Sequence, residues 1–146
     1  MALVLGMNGK MYYDAAGVGG SSWSEMGNVK DVTLNLETGE ADVTVRANTG
    51  WRAMVGTLKE ATIEFTMQWD TEDAGFAALQ DAFMNNLSIG IAVMDGEIAT
   101  PGSQGLTANC SVISFSRSEP LEEAMTVDVT LKPTYSATPP AWLEVT

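Results

Sequence analysis

The residues that could support catalysis here are carboxylates and one thiol, because the chain of 146 residues contains no histidine. That absence excludes the serine triad, histidine acid–base catalysis and the common zinc sites. Two carboxylate pairs remain as glycosidase-like candidates, Glu60 with Glu64 and Glu122 with Glu123. Acids on an alternating strand are also what a solvated strand face carries. We therefore expect no enzymatic activity and no cofactor, and an enzyme built on such a pair is the least favoured alternative.

The sequence indicates neither a metal site nor a reactive thiol. Asp70, Glu72 and Asp73 do not have the spacing of a twelve-residue calcium loop, and capping of a following helix accounts for them. Cys110 lies in the alternating segment LTANCSVISF. With no histidine available to activate it, it is predicted to be a buried structural thiol.

The charge of the chain is acidic and evenly spread. There are 19 acidic and 7 basic residues, giving a net charge of −12. Binding to nucleic acid draws on lysine and arginine that neutralise phosphates, so tight DNA or RNA binding is disfavoured. The same reasoning disfavours an anionic membrane surface. The length is typical of one domain, and we expect residues 1–146 to form one, with flexible N-terminal and C-terminal segments.

A strand that leads directly into a helix is the clearest structural signal. In LKEATIEFTMQW, Ala61, Ile63, Phe65, Met67 and Trp69 alternate with polar residues, as a half-buried strand requires. The segment DTEDAGFAALQDAFMNN follows without a spacer and predicts a helix over about residues 71–86, capped by Asp70 or Thr71 and stopped at Asn85 and Asn86. Its apolar residues Phe76, Leu79 and Phe83 predict a face packed on a sheet.

The remaining segments predict further strands. VKDVTLNLE, the region from Leu87 to Met94, GLTANCSVISFSRSEP and EEAMTVDVTLKP all alternate, and a phase slip at Val112 and Ile113 indicates a bulge. Thr38-Gly39 and Asn48-Thr49-Gly50 indicate turns, as do Gly17, Gly19 and Gly20. About seven strands and one helix predict a mainly β fold, an antiparallel sandwich or barrel with one flanking helix.

Two tryptophans in loop or tail segments leave a binding function open. Either Trp51 or Trp142 could form a platform on which a sugar stacks, although packing in a core or at an interface is the more common use of tryptophan. A monomeric carbohydrate-binding β-sandwich is therefore an alternative function for this chain.

The order of these elements resembles the tail tube proteins of long, flexible-tailed phages, which are related to the tube subunits of type VI secretion. The resemblance covers about residues 23–136. It rests on VKDVTLNLETGEAD, then GWRAMVGTLKEATIEFTMQWDTEDAGFAALQDAFMNN, then FSRSEPLEEAMTVDVTLKPTYS. It implies a tail-tube-like fold and a structural subunit that forms stacked hexameric rings through which DNA passes without specific binding.

The resemblance also implies partners and contact residues. The chain would assemble with itself in the virion tail, after synthesis in the host cytoplasm and with no membrane step, and would meet tape measure, tail tip and tail terminator proteins. The loop before the central strand would reach neighbouring subunits through Asp42, Arg46, Asn48, Trp51 and Arg52. The polar face of the central strand is the candidate for the lumen, with Glu60, Thr62, Glu64, Thr66 and Gln68. An acidic lumen would repel passing DNA.

Overall fold

The computed structural model describes residues 3–18 and 22–146, and within them the fold is mainly β. The helical elements are two short 3₁₀ turns, Gly6–Asn8 and Arg46–Asn48, and one α-helix, α1 (Ala74–Met84). The eight strands are β1 (Lys10–Asp14), β2 (Ser24–Glu25), β3 (Val29–Asp42), β4 (Met54–Gln68), β5 (Ser88–Met94), β6 (Gln104–Ser118), β7 (Thr126–Pro133) and β8 (Ala141–Glu144). Gly17 has the positive φ expected of its turn, 96°; Gly19 and Gly20 lie outside the described residues.

All strand pairs are antiparallel and join into one sheet in the order β2-β1-β5-β6-β7-β4-β3. The long strand β6 links its two halves. The first half of β6 pairs with β5 on one side and β8 on the other, and the second half pairs with β7. The edge strands of this path are β2 and β3. The predicted antiparallel β fold with a flanking helix is confirmed.

The alternation of β4 builds the centre of the core. Ala61, Ile63, Phe65 and Met67 are buried, while the residues between them are exposed or half-buried. Their neighbours across the strands are also apolar: Ile63 lies opposite Leu131, and Met67 opposite Val127. Cross-strand partners share a face of the sheet, so β4 and β7 together present one apolar surface to the core.

The helix covers this core but begins later than predicted. Asp73 is the N-cap, and its Oδ2 accepts a hydrogen bond of 2.9 Å from the Phe76 backbone N–H. Asp70, one of the two expected caps with Thr71, instead accepts from the backbone N–H of Glu72 and shapes the preceding turn. Asn85 ends the helix as expected.

The helix packs through two of its three predicted apolar residues. Phe76 and Leu79 are fully buried. Phe76 meets the Trp69 ring edge-on with 4.8 Å between ring centroids. Phe83 is 36% exposed and stacks on Phe115 at 6.0 Å, so the C-terminal turn of α1 lies at the margin of the core.

Backbone irregularities occur at two places that the sequence marked. The β6–β7 register shifts between Val112 and Ser114, which confirms the bulge. The turn predicted at Thr38-Gly39 is wrong, because β3 continues through both residues with a register shift against β4 between Thr38 and Glu40. A glycine within an alternating segment is typical of a strand bulge as well as of a turn. The turn at Thr49 and Gly50 is present, with φ of 53° and 88°.

No helix among the described residues is long and apolar enough to span a membrane.

Cys110 is a buried thiol, as predicted. Desolvation raises its pKa to about 12, because burial disfavours the thiolate. Since the folded pKa lies above the unfolded value, the stability contributed by the neutral thiol is present below about pH 9 and is lost as the pH rises towards 12.

The burial of Cys110 is tested by thiol labelling. We expect a disulfide reagent at pH 8 to label the native protein slowly and the urea-unfolded protein at once. Equally fast labelling of native protein would show that the thiol is accessible to solvent.

Candidate functional site

A long hairpin of β3 and β4 projects from the sheet. Strand β7 covers β4 only from Ile63 to Gln68, whereas β3 continues to pair with β4 as far as Asp42 and Met54. We call residues 37–60 the arm. Every residue of the arm is exposed except Asn48 and Ala53, which are half-buried. A two-stranded hairpin with no covered face is marginally stable in water.

The tip of the arm has a defined shape despite its exposure. The Val43 N–H donates to the Ala53 carbonyl oxygen at 2.9 Å, and the Trp51 N–H donates to the Asn48 carbonyl oxygen at 3.1 Å. Asp42 closes the base of the loop by accepting from the Thr44 backbone N–H at 2.8 Å, and hydrogen bonds from Thr44 lower the pKa of this carboxyl. The loop is therefore held by its own hydrogen bonds.

All five residues predicted for a subunit interface lie at this tip. Trp51 is 77% exposed, and both Arg46 and Arg52 are without an ion pair among the described residues. Asp42 serves the loop itself, and Asn48 is half-buried. Trp51 lines one shallow cleft with Arg46 and Arg52, and tryptophan and arginine are the residue types enriched in interface hot spots. Whether these residues contact a neighbour stays a prediction.

The five residues predicted for the lumen lie on one polar sheet face that extends over four strands. Thr66 Oγ1 donates to Asp128 Oδ1 at 2.8 Å, and Lys132 Nζ lies 3.3 Å from Glu60 Oε1. Cross-strand register adds polar residues that sequence inspection missed. By this register the polar face includes Lys30, Thr33, Asn35, Glu37, Glu60, Thr62, Glu64, Thr66, Gln68, Ser111, Ser114, Ser116, Ser118, Thr126, Asp128, Thr130 and Lys132.

The polar face is net acidic. The residues placed on it by strand register include four carboxylates and two lysines, and Asp31 lines a cleft with Thr33 and Glu64. Glu37 lies directly opposite Glu60. Like charges in that position destabilise a strand pair, and the Lys132 ammonium beside Glu60 offsets the repulsion. Glu64 lies between Thr33 and Thr130 with no basic partner across either strand. The face is thus hydrophilic and negative.

The geometry does not support carboxylate-pair chemistry at Glu60 and Glu64. Four residues along a strand place their Cα atoms about 13 Å apart, whereas glycosidases hold the two carboxyl groups about 5 to 9.5 Å apart. Glu122 and Glu123 lie exposed in the loop between β6 and β7. The described residues contain no cluster of acidic and cysteine side chains suited to a metal ion.

The two exposed tryptophans do not form a shared platform. Trp142 lies on β8 and donates its indole N–H to Gln104 Oε1 at 3.0 Å, beside a groove that reaches Lys59 at the base of the arm. Trp51 lies beyond the far end of β4, about 20 Å further along the strand from Lys59. The two tryptophans therefore belong to separate surfaces of the subunit.

Comparison with known proteins identifies the family. A family model described as phage tail tube protein matches residues 11–134. The fold is similar to that in the tail of an empty gene transfer agent particle determined with C6 symmetry, with a TM-score of 0.73, 14% identity and coverage of 97% of this chain and 98% of that one. It is also similar to the SPP1 tail tube, with a TM-score of 0.71, 16% identity and coverage of 89% and 75%.

A third similar structure is the baseplate of the anti-feeding prophage, with a TM-score of 0.62, 6% identity and coverage of 99% and 98%. No curated protein sequence matches this chain. The family match spans most of the sequence, and the solved structures share its fold. The chain therefore belongs to the phage tail tube protein family, whose members are structural components of virion tails and not enzymes.

Proposed function

We propose that six copies of this tail tube subunit close into a ring and that rings stack into a conduit for DNA. The observation that carries the proposal is the arm, a two-stranded hairpin with both faces uncovered. An element that cannot bury its apolar side chains within the subunit requires a partner. Support for six copies comes from the C6 symmetry of the similar gene transfer agent tail.

In this arrangement the tip of the arm contacts a neighbouring copy. The arm carries three of the seven basic residues, Arg46, Arg52 and Lys59. The rest of the chain holds four bases against fifteen acids, so a basic, aromatic tip faces an acidic body. Asp42 shapes the loop, Asn48 packs within it, and Arg46, Trp51 and Arg52 make the contact.

The polar sheet face forms the wall of the conduit. Glu60, Thr62, Glu64, Thr66 and Gln68 run along its central strand, and neighbouring strands extend it with hydroxyl groups. A net negative, hydrophilic wall has no array of cations that could replace the counterions of DNA. Passing DNA is therefore repelled at short range and does not adhere. Tape measure, tail tip and tail terminator proteins complete the virion tail, and assembly takes place in the host cytoplasm.

Electron microscopy of the concentrated protein tests the proposal. We expect negative-stain images to show rings or tubes with sixfold symmetry in end views. Measurements at low and at physiological salt are both needed, because a charge of −12 per copy opposes association when screening is weak. Protein that remains monomeric at every salt and protein concentration would contradict the proposal.

A charge reversal on the polar face tests the conduit wall. In assembled tubes Glu64→Lys is expected to convert DNA repulsion into salt-dependent DNA binding, because each hexameric ring gains twelve units of positive charge. Co-sedimentation of tubes with linear DNA at several salt concentrations measures this change. The matched control is Glu72→Lys, an exposed residue beside α1 and not on the polar face. Equal DNA binding by the two variants would show that the polar face is not the wall.

A further inference from the structure

A groove opens where the hydrophobic core reaches the base of the arm. Leu34 and Ile63 are paired across β3 and β4 within the core, and the next pair on the same face is Leu36 with Ala61. Ala61 is buried at 7% exposure, whereas Leu36 opposite it is 54% exposed. The groove has a volume of about 660 Å³, and its other apolar walls are Leu106, Pro133, Pro140, Ala141 and Trp142.

Two unpaired strand edges border this groove. From Met54 to Thr62, β4 pairs with β3 only, and β8 pairs with β6 only among the described strands. Each edge offers backbone N–H and C=O groups that hydrogen bond to nothing in the sheet. Exposed edges of this kind accept an additional strand. The groove is therefore suited to an extended, apolar segment of peptide.

The chain itself contains a segment with these properties. Leu3–Met7 carries no charge, and the side chains of Leu3 and Leu5 are 82% and 63% exposed. Leu5 is already extended, with φ of −79° and ψ of 144°. Residues 3–7 pair with no described strand, and within the subunit Gly6 and Met7 lie beside Val29, Val32 and Val93 in a different cleft. The subunit thus leaves the Leu3 and Leu5 side chains exposed to solvent and the apolar groove open to solvent.

We propose that the groove binds the Leu3–Met7 segment of a second copy, which adds as a strand along the free edge of β4. Alternate leucine side chains then continue the core beyond Leu36, and the backbone supplies the partners that β4 lacks. The occupant is a second copy because, within the subunit, Gly6 and Met7 lie in the different cleft beside Val29 and Val32. The uncharged segment also enters a site on a protein of net charge −12 without repulsion. The inference rests on the proposed function, since it supplies one contact between subunits of the tube.

Disulfide trapping tests this contact. Val4→Cys is combined with Lys59→Cys on the groove wall, and the assembled protein is oxidised mildly and run on a non-reducing gel. Cys110 stays in place because it is buried. We expect covalent dimers and larger multimers at a yield at least tenfold above that of the control pair Val4→Cys with Leu121→Cys, which uses an exposed residue of the β6–β7 loop.

Every outcome of the trapping experiment either supports or contradicts the proposed contact between Leu3–Met7 and the groove. Multimers that also form when the two single-cysteine proteins are mixed support the proposal. A cross-link confined to the monomer would place the segment in its own groove and overturn it. Tubes without the cross-link would overturn the inference and leave the proposed function standing, whereas the absence of both tubes and cross-link would count against both.

A second variant measures the contribution of the segment without a cross-link. Leu3→Ser with Leu5→Ser is expected to raise the protein concentration needed for assembly at least fivefold, while the urea midpoint of the subunit stays unchanged because both side chains are exposed. Leu121→Ser is the control for the loss of an exposed leucine. An unchanged assembly threshold in the double variant would overturn the proposal.

Discussion

Replacing Trp51 with alanine is expected to raise the concentration required for tube formation at least tenfold and to leave the subunit folded. The indole is 77% exposed in the free subunit and is held on a loop closed by its own hydrogen bonds, so its removal leaves no cavity in the core. Truncation of an interface tryptophan commonly costs 2 kcal/mol or more, and about 1.4 kcal/mol corresponds to a factor of ten in affinity.

Light scattering against protein concentration gives the assembly threshold of the Trp51→Ala variant, and circular dichroism confirms that the subunit stays folded. Tyr135→Ala is the matched control, because Tyr135 is an exposed aromatic residue in the segment between β7 and β8. We expect the control to assemble at the wild-type threshold. If Trp51→Ala also assembles at that threshold, the tip of the arm is not a subunit contact.

Replacing Phe76 with alanine is expected to lower the free energy of unfolding of the subunit by about 3 to 5 kcal/mol. The ring is 1% exposed and lies between Trp69 and Phe115, with centroids at 4.8 and 5.7 Å. Its removal leaves a cavity beneath α1 that the surrounding strands cannot close. Because small domains have about 5 to 15 kcal/mol of stability in total, this single change removes a large part of it.

Urea unfolding of unassembled protein measures this loss. Phe83→Ala provides a comparison within the same helix, because Phe83 is partly exposed and touches Phe115 from the margin of the core. We expect a loss of about 1 kcal/mol for that variant. Similar losses for the two variants would mean that α1 does not pack as the structure indicates.

The parts of the fold that follow from local pattern were predictable from the sequence. Alternation along β4 identifies its buried face residue by residue, since side chains of a strand point to opposite sides in turn. The phase slip at Val112 and Ile113 identified a bulge for the same reason. The helix was recognised from its apolar spacing, but its start was misplaced because Asp70, Thr71 and Asp73 are all acceptable caps. Only the local backbone conformation decides among them.

The parts that depend on pairing between distant segments were not predictable. Asp128 and Thr130 belong to the same polar face as Glu64 because β7 pairs with β4 in one particular register, and sequence alternation does not specify a register between strands some sixty residues apart. The groove beside Trp142 was missed for the same reason, since its walls come from β3, β4, β6 and β8, which are far apart in the sequence. The five arm residues came from the family resemblance, and their role in a subunit contact stays a prediction.

The uneven distribution of charge and apolar surface has a consequence for the rate at which subunits meet. Two copies of net charge −12 repel each other over a distance of about 8 Å at physiological salt and about 30 Å at 0.01 M, whereas the apolar residues of the arm attract only on contact. Dilute subunits at low salt are therefore separated by a kinetic barrier to encounter, although their arms remain exposed. Added salt lowers this barrier more than it changes the contacts themselves, so ionic strength controls when polymerisation begins.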